Sequence, residues 1–126
     1  MRIEHMAVWS PDIEVLRGFY ERWFGGTSSA RYENPSKGFA SYFLSFEDGP
    51  RLELMQRGDI TEPAGPNVLG YAHLAIALGS DEAVDHQTAA MRAAGVPVVD
   101  GPRRTGDGYY ESVVVDPDGN RIELTC

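Results

Sequence analysis

The chain has 126 residues, a formal net charge of −8 at pH 7 and a single cysteine. This length suits one compact domain with a real hydrophobic core, and no stretch is apolar for long enough to span a bilayer. The acidic balance argues against nucleic acid or an anionic membrane surface as the main partner, because both reward basic patches. One cysteine cannot form an internal disulfide, and no signal-type apolar run opens the chain, so we expect a cytoplasmic protein.

The first half of the chain predicts a strand, a helix and three further strands. Polar and apolar residues alternate over residues 2–9, as they do in a strand. Ser10 and Pro11 are typical of an N-cap and a first helical position. Apolar residues at helical spacing then predict a helix that ends at Gly25 and Gly26. The three strands are predicted at residues 28–32, at 39–46, and in a hairpin that reaches Met55.

The second half repeats this pattern after a segment rich in glycine and proline. A strand is predicted at residues 71–78, followed by a helix that Ser80 caps and Gly95 stops. Residues 102–108, which contain Arg103 and Arg104, predict a polar loop. Three more strands are predicted at residues 96–99, 109–115 and 120–125.

Two polar landmarks recur at nearly the same offset along the chain. His5 and His73 open corresponding strands and are 68 residues apart, while Glu53 and Glu123 are 70 residues apart. Each glutamate follows a turn with an acidic residue and a glycine, inside an Arg-apolar-Glu-Leu segment. An internal repeat is therefore predicted. Its first module covers about residues 1–56, its linker about 57–70, and its second module about 71–126.

Two imidazoles and two carboxylates at repeat-related positions suit a borderline divalent ion such as Zn, Ni, Co or Mn. In an octahedral site, four protein ligands leave two positions for water or substrate, as a catalytic site requires. The alternative is that each residue is an unrelated polar group of a strand, satisfied by neighbours or by solvent. The arrangement of all four by one internal repeat favours metal binding.

These features together resemble the vicinal oxygen chelate superfamily, which includes glyoxalase I, extradiol dioxygenases and bleomycin resistance proteins. The resemblance covers essentially the whole chain. It rests on the two modules, on His5 and His73, and on the turn of residues 116–119 before Glu123. It implies an α+β fold in which two tandem βαβββ modules form a cupped mixed sheet around a metal site. A homodimer is also implied, with ligands from one chain or from two.

By this resemblance, four residues match the metal ligands of glyoxalase I: His5, Glu53, His73 and Glu123. The implied activity is that of a metal-dependent lyase or isomerase of the lactoylglutathione lyase type. Glu123 would move a proton next to a metal-chelated carbonyl through an ene-diolate. Glu53 is the second catalytic carboxylate, either as a permanent ligand or as a helper in proton transfer. The substrate would be a small molecule, with a glutathione adduct as one candidate.

Five residues are expected to contact the substrate. Trp9 and Arg57 stand where glyoxalase I carries an Arg and an Asn that help to hold glutathione. The pair Arg103 and Arg104 can bind carboxylates through bidentate guanidinium contacts, or can be a solvated pair on a loop. Tyr110 is expected in an apolar substrate pocket, although residues of this type are often part of the core.

Two other functions remain open at this point. One is an Fe(II) extradiol-type dioxygenase that uses His5, His73 and Glu123. A fourth ligand at Glu53 argues against it, because catechol and O₂ need open positions on the iron. The other is a non-catalytic protein of the bleomycin-resistance type, which sequesters an aromatic ligand without metal. Metal dependence would separate this protein from the enzymes, and oxygen consumption with a catechol would identify the dioxygenase.

Overall fold

The computed structural model describes residues 1–126, which divide into two compact units, residues 1–63 and 64–126. In each unit a single α-helix packs against one face of a mixed β-sheet. The predicted α+β class with two tandem βαβββ modules is confirmed. Neither helix is long and apolar enough to cross a bilayer.

The first unit has a five-stranded sheet with the order β1-β5-β4-β2, and β3 also pairs with β4. β1 runs parallel to β5, with Ala7 opposite Glu53. Because side chains alternate along a strand, this register puts His5 and Glu53 on the same face. The elements are β1 His5–Trp9, α1 Ile13–Phe24, β2 Thr27–Ser28, β3 Tyr32–Asn34, a 3₁₀ turn Pro35–Lys37, β4 Phe39–Ser45 and β5 Arg51–Arg57.

Helix α1 is capped by Asp12, so the prediction of an N-cap at Ser10 and a first helical residue at Pro11 was wrong. The Asp12 carboxylate accepts hydrogen bonds from the amides of Glu14 and Val15, at 3.0 and 3.3 Å. The Ser10 hydroxyl instead accepts one from the amide of Asp12 at 3.1 Å. A carboxylate that satisfies two free amides of the first turn decides where the helix begins.

The second unit has a four-stranded sheet with the order β6-β9-β8-β7. β6 runs parallel to β9, with Ala75 opposite Glu123, which is the register of Ala7 and Glu53 in the first unit. The internal repeat therefore extends to the pairing of strands. Helix α2 has the predicted N-cap, since the Ser80 hydroxyl accepts from the amide of Ala83 at 3.1 Å. The elements are β6 Leu74–Ala77, α2 Asp81–Ala93, β7 Val98–Arg104, β8 Tyr110–Val115 and β9 Arg121–Thr125.

Strand β7 is longer than the sequence predicts. A strand at 96–99 and a loop at 102–108 were expected, but β7 continues to Arg104, which pairs with Tyr110 of β8. The pairing has two register irregularities, and the Gly101-Pro102 peptide bond is cis. Aspartate, glycine and proline within the strand break the alternation by which strands are recognised, so the pattern was misread as a loop.

Gly101 lets β7 approach β8 closely. Its φ is 71°, and a Cβ here would lie 2.5 Å from the carbonyl oxygen of Glu111 and 3.0 Å from Cα of Ser112. We expect Gly101→Ala to lower the free energy of unfolding by about 2–5 kcal/mol, because overpacking and left-handed backbone both destabilise the fold. Urea denaturation measures the change. The control is Gly106→Ala, where a Cβ meets nothing within 4 Å; equal losses in both variants would contradict the prediction.

The core of each unit lies between its helix and its sheet. A buried polar contact also crosses this layer in the second unit, where the hydroxyls of Thr88 and Ser112 are 2.6 Å apart. Strand alternation sends the remaining side chains to the opposite face, called here the open face of each sheet. The largest buried apolar residues are Ile13, Leu16, Leu44 and Leu54 in the first unit, and Val84, Met91, Val114, Ile122 and Leu124 in the second.

Candidate metal-binding and catalytic site

The turn before β9 fixes the direction in which Glu123 enters its sheet. Asp116 is only 4% exposed, and its Oδ1 accepts from the amides of Asp118 and Asn120, both at 2.9 Å. Its Oδ2 accepts from the side-chain amide of Asn120 at 2.9 Å. Gly119 takes a φ of 85° and donates its amide to the Asp116 carbonyl at 3.0 Å. This network makes the turn a firm support for the strand that carries the candidate base.

In the first unit, His5 and Glu53 lie side by side on the open face. Nε2 of His5 is 3.6 Å from Oε2 of Glu53, and the two side chains are 39% and 16% exposed. The other ring nitrogen of His5, Nδ1, contacts the carboxylate of Glu4. The hydrogen bonds of Glu4 with His5 and Arg51 hold the pKa of that carboxyl below its usual range. Glu4 is therefore an anion at neutral pH.

In the second unit, His73 and Glu123 form the equivalent contact. Nε2 of His73 is 3.4 Å from Oε2 of Glu123, and the side chains are 44% and 17% exposed. His73 lies directly before β6, whereas His5 is the first residue of β1. Of the four residues predicted to bind metal, each unit thus brings one histidine and one glutamate into contact.

Each pair has the chemistry of two neighbouring ligands of one divalent ion, and its two donor atoms lie 3.4–3.6 Å apart. Ligand bonds of about 2.0–2.2 Å put two ligands at a right angle about 3 Å apart, slightly closer than these pairs. Imidazole nitrogen and carboxylate oxygen together suit Zn, Ni, Co, Mn and Fe(II). Within either unit, no third His, Cys, Asp or Glu joins the pair in a group that could hold a metal. Each unit therefore holds two side chains of the types that bind such ions.

Glu111 lies beside Glu123, although its spacing in the sequence does not single it out. Its side chain is 12% exposed. Burial raises the pKa of Glu111, and so do the charge of Glu123 and the hydrogen bond between the two side chains. A hydrogen bond between two carboxyl groups needs a proton on one of them. The signal in the sequence is the alternation of β8, which puts Glu111 on the same face as Val113, the residue opposite Glu123.

Trp9 and Arg57, both predicted to contact the substrate, lie close together in the first unit. The Arg57 guanidinium is 5.2 Å from the centre of the Trp9 ring. Phe39 packs edge-on against Trp9, with ring centres 6.2 Å apart. Arg57 also binds Asp59, with 2.5 Å between Nε and Oδ1. This end of the sheet presents an aromatic surface with one cation beside it.

The predicted substrate residues of the second unit are bound to its own acidic side chains. Arg103 binds Asp100 at 2.8 Å, and this hydrogen bond raises the pKa of the guanidinium. Arg104 binds Asp81 and the Gly108 carbonyl. The Tyr110 hydroxyl donates to Asp85 of α2 at 2.7 Å, so this ring lies on the helix-covered face. A substrate role for these three residues stays a prediction.

Comparison with known proteins gives one family and many related structures. A family model described as the Glyoxalase/Bleomycin resistance protein/Dioxygenase superfamily matches residues 2–124. The trypanothione-dependent glyoxalase I of Leishmania major is 26% identical, with a TM-score of 0.79 over 98% of this chain and 85% of that chain. A possible glyoxalase from Bacillus cereus is 28% identical, with a TM-score of 0.74 over 100% of this chain and 99% of that chain.

Glyoxalase I from Zea mays shares the fold at 21% identity, with a TM-score of 0.81. The alignment covers 98% of this chain but only 44% of the maize chain, so this protein spans less than half the length of that enzyme. No curated protein matches the chain. The comparisons therefore give the family and the fold, while the reaction has to be argued from the residues.

Proposed function

Because the chain belongs to the Glyoxalase/Bleomycin resistance protein/Dioxygenase superfamily, we propose that it is a metal-dependent lyase or isomerase of the glyoxalase I type. One observation carries the proposal: each unit holds a histidine and a glutamate in contact, at 3.6 Å in the first and 3.4 Å in the second. The similarity to a trypanothione-dependent glyoxalase I gives further support.

The proposed metal ligands are His5, Glu53, His73 and Glu123. Together they make up the three or four protein ligands that a catalytic metal needs. The bound ion would be Ni, Zn, Co or Mn, and it would supply Lewis-acid polarisation of a substrate carbonyl. The imidazoles of His5 and His73 would hold the ion, while one carboxylate would bind it and the other would transfer the proton.

Glu123 is the proposed base. Its carboxylate takes a proton from the carbon next to the substrate carbonyl and returns it to the neighbouring carbon. Its position on β9, between the buried residues Ile122 and Leu124, keeps the carboxylate directed to the open face. Glu53 has the equivalent position on β5 and serves as a ligand or as a second proton carrier.

The proposed substrate is a small, oxygen-rich molecule. Trp9 and Arg57 offer it an aromatic surface and a positive charge on the same sheet that carries His5. A substrate carboxylate that binds Arg103 or Arg104 has to replace Asp100 or Asp81, which occupy these guanidiniums. Hemithioacetals of glutathione are therefore the first compounds to test. When a glutathione carboxylate replaces an aspartate, the guanidinium keeps a carboxylate partner.

Native mass spectrometry of protein purified without a His tag tests the proposal, because it counts chains and metal ions together. We expect a homodimer, and one ion for each set of four ligands. After removal of the metal with a chelator, Ni, Co, Zn or Mn should restore the conversion of a glutathione hemithioacetal. Absence of metal binding at every stage would contradict the proposal and favour a sequestering protein. Oxygen consumption with Fe(II) and a catechol would favour the dioxygenase.

A further inference from the structure

The first His–Glu pair has a neighbour that the second pair lacks. Glu4 precedes His5, and its carboxylate contacts Nδ1 of the imidazole. The residue before His73 is Ala72, whose side chain has no acceptor. We propose that Glu4 is a positioning residue, which orients the His5 imidazole for metal binding. This inference rests on the ligand role of His5 in the proposed function.

Glu4 is itself held in place by Arg51. The Arg51 Nε lies 2.9 Å from Oε1 of Glu4, and Nη2 binds the same oxygen. The Arg51 amide also donates to the Glu4 carbonyl at 3.1 Å. Oε1 of Glu4 is thus bound by Arg51, while Oε2 contacts His5. A carboxylate fixed at both oxygens can determine the orientation of the ring that it contacts.

Phe43 supports the same arrangement from β4, the strand next to the one that carries Arg51. The Arg51 guanidinium lies 4.2 Å from the centre of the Phe43 ring. Phe43 also packs against the His5 ring in an edge-on geometry, with centres 5.3 Å apart. Glu4 and Phe43 both contact the imidazole, and Arg51 contacts both Glu4 and Phe43.

The contact with Glu4 decides which nitrogen of His5 is free to bind metal. When Nδ1 donates its proton to Glu4, Nε2 keeps its lone pair, and Nε2 is the atom that lies 3.6 Å from Glu53. A carboxylate on the second nitrogen of a ligating histidine fixes its tautomer and makes it a better donor. In the first unit, the chain supplies both the ligand and its orienting carboxylate.

The first arm of the test needs no metal. Long-range ¹H–¹⁵N NMR of the metal-free chain distinguishes the two neutral tautomers of His5. We expect the form with a proton on Nδ1 in the unmodified chain and in Glu4→Gln, whose amide oxygen still accepts the bond. Glu4→Ala should move His5 towards the form with a proton on Nε2 and leave His73 unchanged. The control is Glu47→Gln, which removes an exposed charge from the same unit.

The second arm measures Zn²⁺ and Co²⁺ affinity by competition with a chelating dye. We expect Glu4→Ala to bind about 10–100-fold more weakly, the usual loss when an outer carboxylate is removed from a ligating histidine. Glu4→Gln should recover most of this loss, and Glu47→Gln should bind normally. An unchanged tautomer in Glu4→Ala overturns the inference, whatever the affinity. Equal losses in Glu4→Ala and Glu4→Gln also overturn it, because charge alone would then explain them. If the unmodified chain binds no metal, the proposed function fails, and the tautomer alone decides the positioning role.

Discussion

Replacement of Glu123 by glutamine should abolish the proton transfer of the proposed reaction and leave the fold intact. The amide has the size of the carboxylate but cannot accept the proton, and general base catalysis contributes about 10²–10⁴-fold to a rate. We therefore expect turnover of a glutathione hemithioacetal to fall by at least about 100-fold. The fold should persist because the strand is anchored by Ile122 and Leu124, which are both fully buried.

The measurement is turnover in D₂O with the metal-loaded protein, together with deuterium uptake into recovered substrate and product. Glu53→Gln is the matched variant, because Glu53 has the same register and the same histidine contact in the first unit. A larger loss in Glu53→Gln than in Glu123→Gln would show that the base is Glu53. Unchanged turnover in Glu123→Gln would remove Glu123 as the base. Metal affinity is measured for both variants, so that loss of a ligand is distinguished from loss of a base.

The repeat in the sequence singled out His5, Glu53, His73 and Glu123, and the structure adds which histidine contacts which glutamate. Two strands that repeat the spacing from His5 to Glu53 and from His73 to Glu123 also repeat the alternation of faces. Parallel pairing of the first and last strands then puts each histidine next to its glutamate. The same repeat led to the resemblance with the vicinal oxygen chelate superfamily, which the family match confirms.

Glu4 and Glu111 could not be predicted as neighbours of the site, because their contacts depend on other strands. Glu4 is held in place by a hydrogen bond from Arg51, which is 47 residues away along the chain. Glu111 forms a hydrogen bond with Glu123, and the two side chains meet only when β8 and β9 pair. No local spacing marks either contact. A search for acidic residues on the open face of each predicted strand would have found Glu111 but not Glu4, because alternation assigns the neighbour of His5 to the other face.

The N-caps of the two helices also show where local sequence is enough to predict structure and where it is not. Ser80 was predicted correctly as an N-cap, since its hydroxyl meets the amide of Ala83 three residues later. Ser10 was the wrong choice, because Asp12 offers a stronger acceptor two residues further on. Strand β7 was misread for a different reason: its pairing with β8 tolerates irregularities that no pattern in residues 98–104 reveals.

Removal of either candidate imidazole should weaken metal binding by more than about 100-fold. The expected loss is larger than the 10–100-fold cost of removing an outer partner, because a direct ligand is lost. His5→Ala and His73→Ala are the two variants, and the measurement is Zn²⁺ and Co²⁺ affinity by dye competition. The third histidine, His86, is exposed on α2, and His86→Ala should bind as the unmodified chain does.

The comparison of the two variants tests whether both histidines are needed for metal binding. Their side chains are 39% and 44% exposed, so neither substitution removes core packing, and thermal unfolding should change little. If both variants lose affinity, each unit contributes a necessary ligand, because two donors from one unit hold a divalent ion only weakly. If only His5→Ala loses affinity, the first unit binds metal without the second, and the four-ligand proposal is wrong. The Glu123 base would then act without a metal of its own, and isomerase chemistry would lose its main support.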